Sequence, residues 1–370
     1  MRTTESMLAN NSINHLQNNF RNLGDLQDQL STGKKITRPS QDPVVAMNGM
    51  KHRSTVREVE QFQRNVNTAH NWMEEADSAL SSTTDALHRV RELTTQAAND
   101  SYDTGERQDM AEEIGQLMEQ LESMANTRSN DKYIFNGTDT TNAPADLDGV
   151  GVGTGALEAD DDNLEEHEIT FNGSLYTFDE LDGQDATFTS EEGDEITVDF
   201  SEDREITHTA DGEETTLSEG DISVNRTDAV SSNSQDVELE LLKGVDIPVN
   251  VNPENVFNNG LFGDLQQIKQ TLEDPDASGE ELSGMIDVVQ GHIDSTVSEQ
   301  AELGARVNRI EMMESRLADQ EVTATRMMSE NEDADMEEVI IELQQQENVH
   351  QAALSSGARI MQPTLMDFLN

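Results

Sequence analysis

The chain has 370 residues, with 23 Lys and Arg against 76 Asp and Glu, a net charge of −53. Such a surface repels phosphates and anionic headgroups, so neither nucleic acid nor membrane is an expected partner. There is no cysteine, which excludes disulfides, thiolate metal sites and thiol catalysis.

The apolar share, 34% with 4% aromatic, is thin for one large core. It suits long helices that each bury a stripe. No run of about 18 apolar residues occurs, so no membrane span is expected. The start, Met1-Arg2-Thr3-Thr4, lacks the apolar centre of a removable secretory signal.

Residues 5–31 read as one helix, with Ile13, Leu16, Phe20, Leu23 and Leu30 on a/d spacing. A narrow seam of this kind needs a partner helix. A non-helical connector follows over residues 31–46. Gly33 suits a helix C-cap, and Pro39 and Pro43 interrupt the helix. After Pro39 and Ser40, Asp42 reads as an N-cap, with Pro43 at the first helical position.

The second helix carries the strongest pattern. Val59, Val66, Met73, Leu80, Leu87 and Thr94 recur every seven residues, as do Phe62, Ala69, Ala76, Thr83, Val90 and Ala97. Asn99-Asp100-Ser101 ends it. A third helix is expected from about Gly105, with Met110, Ile114, Leu117, Leu121 and Met124 on one face, stopping before Tyr133.

From about residue 141 the helical period disappears. Residues 141–240 hold 30 Asp and Glu, with Arg204 and Arg226 the sole Lys or Arg. Short alternating runs surround Asn172-Gly173 and Asp211-Gly212, which are hairpin cues. An acidic, β-rich insertion is expected here; disorder is the competing reading, given the charge. Helical periodicity returns at Leu265, Ile268 and Leu272, then runs from Leu282 to Leu317. Met336, Ile340, Leu343, Leu354, Met361 and Phe368 form a final seam.

The expected fold is therefore mainly α: a long antiparallel helical bundle or coiled coil formed by the two chain ends, with an inserted β-rich acidic domain. The expected division is 1–45 with 330–370 as a terminal coiled-coil assembly region, 46–140 with 241–329 as a helical rod, and 141–240 as an outward-facing insertion. The expected assembly interface is Ile13, Leu16, Phe20, Leu23, Leu30, Ile340, Leu343, Leu354, Met361 and Phe368. Terminal stripes gain burial only with neighbours and lose chain entropy on ordering, so isolated ends should stay largely disordered until assembly. The acidity suggests a salt-rich setting, where repulsion is screened to a few ångströms.

Chemical motifs are absent. The eight histidines are scattered, and His167-Glu168 lacks the spacing of a zinc-protease helix. The Asp160-Asp161-Asp162 run belongs to no complete calcium loop. No nucleophile elbow or phosphate loop occurs. No catalytic residue, metal or cofactor is expected. Met327, Met328 and Met336 suit helix packing better than a chaperone surface.

Three segments carry a resemblance: M-R-T-T-E-S-M at the start, G-K-K-I-T-R-P-S-Q-D-P-V-V-A at 33–46, and Y-I-F-N-G-T at 133–138. With A-A-L-S-S-G-A-R-I-M-Q-P-T-L-M-D-F-L at 352–369, they resemble the bacterial flagellin superfamily over roughly 1–140 and 260–370. The P-S-x-D-P and L-M-D-F-L elements resemble the branch that joins hook to filament. The resemblance implies an extracellular structural protein of the flagellum, exported without a cleaved signal peptide. It implies partnership with itself in a ring, with neighbouring hook-associated proteins and flagellin, and with a cytoplasmic export chaperone. The alternatives are a filament flagellin and, in another class, a coiled-coil adaptor or sensor with a β insertion. An enzyme hidden in the insertion would need a constellation that the sequence lacks.

Overall fold

The computed structural model describes residues 2–99, 102–201, 204–210, 212–275 and 277–361. The chain divides into two compact units. One comprises residues 1–63 and 315–370, the other residues 64–314.

The first unit contains α1 (Arg2–Thr32) and the start of α2 (Pro43–Ala97). Gly33, at φ +68°, ends α1 in the left-handed region that glycine enters without strain. In the connector, the Gln41 amide donates to the Arg38 carbonyl at 3.0 Å. Pro39 thus takes the second position of a tight turn, where its fixed φ is already correct. Asp42 Oδ1 accepts from the Val44 and Val45 amides at 2.9 and 3.1 Å, the expected N-cap.

All ten heptad positions of α2 that fall in the second unit are buried; of the two in the first unit, Val59 is buried and Phe62 half-buried. α3 (Thr104–Ala125) begins with a capping box: Asp103 accepts from the Glu106 amide while Glu106 bonds back to the Asp103 amide. The small hairpin β1 (Arg128–Ser129) and β2 (Lys132–Tyr133) follows, its Asn130-Asp131 turn at positive φ.

The acidic region is folded as strands. A short helix α4 (Asp161–Glu165) precedes β3 (His167–Phe171), β4 (Ser174–Asp182), β5 (Asp185–Ser190), β6 (Glu195–Asp199), β7 (Ile206–Ala210), β8 (Glu213–Leu217) and β9 (Ser223–Arg226). Every neighbour pair is antiparallel, in the order β8-β7-β6-β5-β4-β3-β9. The Asn172-Gly173 turn has φ of 48° and 82°, the mirror-type turn that the dipeptide favours. Asp211 of the second anticipated turn lies outside the described residues.

Alternation sets the two faces. One face carries Ile169, Tyr176, Phe188, Ile196, Val198, Ile206 and Val224 in a single buried cluster with Leu157, Leu164 and Ile222. The other carries a row of threonines, Thr187, Thr197, Thr207 and Thr216, in register across four strands. This apolar/polar alternation provides a core despite the charge.

The sheet must curl. Its edge strands β8 and β9 lie six strand spacings apart, about 29 Å if flat at ~4.8 Å each. Leu217 and Ser223 are joined by five intervening residues, a reach of about 20–22 Å fully extended. Leu217 accordingly packs on the same cluster as Ile169 and Val224 from the far side.

Beyond the sheet come the hairpin β10 (Glu238–Leu242) and β11 (Val245–Pro248), then α5 (Asn259–Glu273). Gly263 of α5 meets the sheet so closely that a Cβ there would lie 2.4 Å from Thr170 Oγ1 and 2.6 Å from Asn225 Nδ2. Those two side chains bond to each other at 3.0 Å. Buried Asp264 accepts from the Gly173 amide at 3.1 Å and lies 2.7 Å from His292 Nε2. His292 belongs to α6 (Gly279–Glu332), which is followed by α7 (Met336–Met361). α2 and α6 exchange side-chain hydrogen bonds within this unit, Arg91 to Gln290 and Gln300 to Asp77.

Candidate assembly surface

α1 and α7 pack side by side in the first unit. Val339 is 5% exposed, Leu343 and His350 are half-buried, and Gln346 Nε2 donates to the Asn19 carbonyl at 3.3 Å. The rings of Phe20 and His350 stand 6.2 Å apart. Ile13, Leu16, Phe20 and Leu354 line one groove together with Gln17, Arg21 and His350. Four of the anticipated interface residues therefore meet. Leu23 and Leu30 are half-buried.

The pair does not cover its own stripe. Phe20 is 66% exposed, Leu354 50%, and Ile13 and Ile340 43% each. The contrast with α2 is sharp, where Met73, Leu80 and Leu87 are fully buried. Two helices bury one side of each stripe and leave the other side open. Phe368 lies outside the described residues, and Met361 is described only as the last residue of α7.

The connector is held by charge at the α6–α7 junction. Glu332, its side chain 7% exposed, accepts from Arg53 Nε and Nη2 at 2.7 and 2.6 Å and lies 3.5 Å from Lys34 Nζ. Lys34 also donates to Asp333 at 2.7 Å. Main-chain bonds reinforce the join: Lys35 amide to Glu332 carbonyl, 2.7 Å, and Ala334 amide to Gly33 carbonyl, 2.9 Å. Hydrogen bonding to Arg53 holds the Glu332 carboxyl below its ordinary value, and the Lys34 ammonium does the same to Asp333. Asp333 in turn raises Lys34. Gly49 is small for this reason: a Cβ there would sit 2.7 Å from Glu332 Oε1.

Sequence reading located Pro39, Ser40, Asp42 and Pro43 but not this clamp. Arg53 and Glu332 are 279 residues apart, and ordinary charges in a charged chain give no signal of pairing. Among the described residues, no three His, Asp or Glu are grouped to hold a metal ion, and no helix is long and apolar enough to cross a membrane.

Comparison with known proteins adds a likeness over the N-terminal part of the chain. Residues 4–140 match the bacterial flagellin N-terminal helical region. This segment is similar to a flagellin N-terminal region. It contains α1, the connector, α2 and α3. Flagellar hook-associated protein 3 of Salmonella typhimurium is 29% identical over 147 residues, 40% of this chain and 46% of that protein. Polar flagellin A of Vibrio parahaemolyticus is 27% identical over 301 residues, 76% of each chain. The chain spans about a third to just under half the length of several such curated relatives. A solved structure described as a flagellar hook-associated protein of Vibrio parahaemolyticus shares the fold. Its TM-score is 0.53 at 15% identity, covering 79% of this chain and all of that one.

Proposed function

We propose that the protein is a structural subunit of the bacterial flagellum that joins hook to filament, and not an enzyme. The observation that carries this is the α1–α7 pair, which leaves an apolar stripe uncovered on a flagellin-type N-terminal region. The relative named hook-associated protein 3 supports the junction role. Filament flagellin is the second reading, favoured by the longer match to polar flagellin A. A filament subunit would grow long filaments alone; a junction subunit would not.

In this reading the two chain ends form an antiparallel bundle. Support comes from cross-pairs whose numbers rise on one strand as they fall on the other: 19 with 346 and 34 with 333 in the first unit, 77 with 300 and 91 with 290 in the second. Residues 1–45 and 330–370 are the assembly region, 46–140 and 241–329 the rod, and 141–240 the outward insertion. The subunit works outside the cell, in a ring of its own copies between other hook-associated proteins and flagellin. It is exported without signal cleavage, with a cytoplasmic chaperone guarding its end.

Deletion of residues 1–30 or 340–370 should leave the middle helices folded, by circular dichroism, and abolish incorporation into flagella. Immunogold labelling of isolated flagella should place the full chain at the hook–filament boundary. Normal filaments from a strain carrying either truncation would overturn the proposal.

A further inference from the structure

Charge is distributed very unevenly. Residues 1–57 hold eight Lys and Arg against four Asp and Glu, a balance of +4 in a chain of −53. Part of that excess surrounds an apolar patch. On the first turns of α2, Val44, Met47 and Met50 are 62%, 61% and 66% exposed. Positions 44, 47 and 51 follow helical i, i+3, i+7 spacing, as do 47, 50, 54 and 57 at successive steps of three or four. Lys51 and Arg57 therefore border the methionines on the same face. Arg38 of the connector is exposed as well, and among the described residues none of these three cations makes an ion pair within the chain. Beside Met50 lies a cavity of about 150 Å³ lined in part by Ile36, Val45 and Ala46.

The same unit carries the complementary surface. On the first turns of α7, Ile341 is 66% exposed and Ile340 43%. Glu337 and Glu338 flank Ile341 at i−4 and i−3, and Glu342 lies one step round the helix beside Glu338; all three are exposed. Their side chains make no ion pair within the chain among the described residues. One patch is apolar with a cationic border; the other is apolar with an anionic border.

We infer that these two patches dock onto each other between successive copies of this chain. α7 of one copy lays Ile341 onto the methionines of the next, and its glutamates face Lys51 and Arg57. The partner is a second copy because each surface finds its complement in charge and polarity on the same chain, and both stand open at once. A contact between two different patches is heterologous, so it propagates into a ring or an open helix and does not stop at a dimer. Like charges would oppose the back-to-back pairing of two acidic patches. This rests on the subunit reading above and adds to it the faces that meet.

The chain has no cysteine, so disulfide trapping reports only introduced thiols. Full-length Met47→Cys and Ile341→Cys chains, mixed under mild oxidation, should give mixed dimers several-fold above the homodimers of either alone. A chain carrying both cysteines should give a ladder of covalent oligomers. Reversing one patch, Lys51→Glu with Arg57→Glu, should abolish trapping. So should reversing the other, Glu337→Lys with Glu338→Lys. Mixing the two reversed chains should restore it, which a merely unfolded variant cannot do; circular dichroism checks each fold. Predominant 47–47 or 341–341 dimers, no trapping, or indifference to reversal would overturn the inference. If truncation abolishes incorporation while trapping fails, the subunit reading stands and another flagellar component covers these faces.

Discussion

At the scale of single residues, the Glu332 cluster is the most consequential feature. Its side chain is almost fully buried yet bonds to Arg53 and Lys34. Glu332 and Asp333 titrate below their ordinary 4.5 and 3.8 when folded. Their stabilising contribution is present above those values and is lost as pH falls through the lower, folded ones. Lys34 titrates above its ordinary 10.5, so its contribution holds below that value and is lost as pH rises past the folded one. The join should thus be firm between about pH 5 and 10. Protection of the Lys35 and Ala334 amides against hydrogen exchange, relative to their intrinsic rates at each pH, should fall below about pH 4. Glu332→Gln should weaken the join by about 1–3 kcal/mol at pH 7, because charged hydrogen bonds are replaced by weaker ones. It should also flatten the acid response, measured by thermal melts from pH 3 to 7.

At the scale of elements, the seam of α2 and the end seams differ in how much of them one chain can bury. Heptads at Val66, Met73, Leu80 and Leu87 are closed by neighbours within the second unit. Those of α1 and α7 close only in part, leaving Phe20 and Leu354 half or more exposed. Helices of this kind open locally far more easily than a sealed core. Amides of α1 should therefore exchange orders of magnitude faster than those of α2 residues 66–90 in the free subunit, and become protected on assembly. Equal protection in the free subunit would show that α1 needs no neighbour. These helices were legible because periodicity and caps are local: Asp42-Pro43 and Gly33 mark their ends in the sequence itself. Hairpins followed from Asn172-Gly173 for the same reason. The hairpin of β1 and β2 was missed because two-residue strands carry no alternation to read. Sheet order, the Gly263 approach to Thr170 and the Glu332 clamp depend on residues far apart in sequence, and composition does not encode those pairings.

At the scale of the whole molecule, the charge sets the conditions under which the fold holds. Thirty Asp and Glu lie within residues 141–240, around an apolar core that is itself complete. Repulsion among them extends about 10 Å at 0.1 M salt and only a few ångströms above 1 M. The melting midpoint should rise between 0.1 M and 2 M NaCl. An unchanged midpoint would assign the acidity to something other than a salt-rich setting. The sheet imposes a different restriction. Because Ser218–Ile222 must span from one edge strand to the other, this strap fixes how many strands the curl can hold. A further hairpin spliced into the series would demand a longer strap or force the mouth open. Growth of the outgrowth, by evolution or by design, is therefore channelled into its turns, where Gly183, Gly193 and Gly212 have open space around them. Those tips can lengthen and diversify while β9 and β3, packed on α5, hold their edge of the sheet in place.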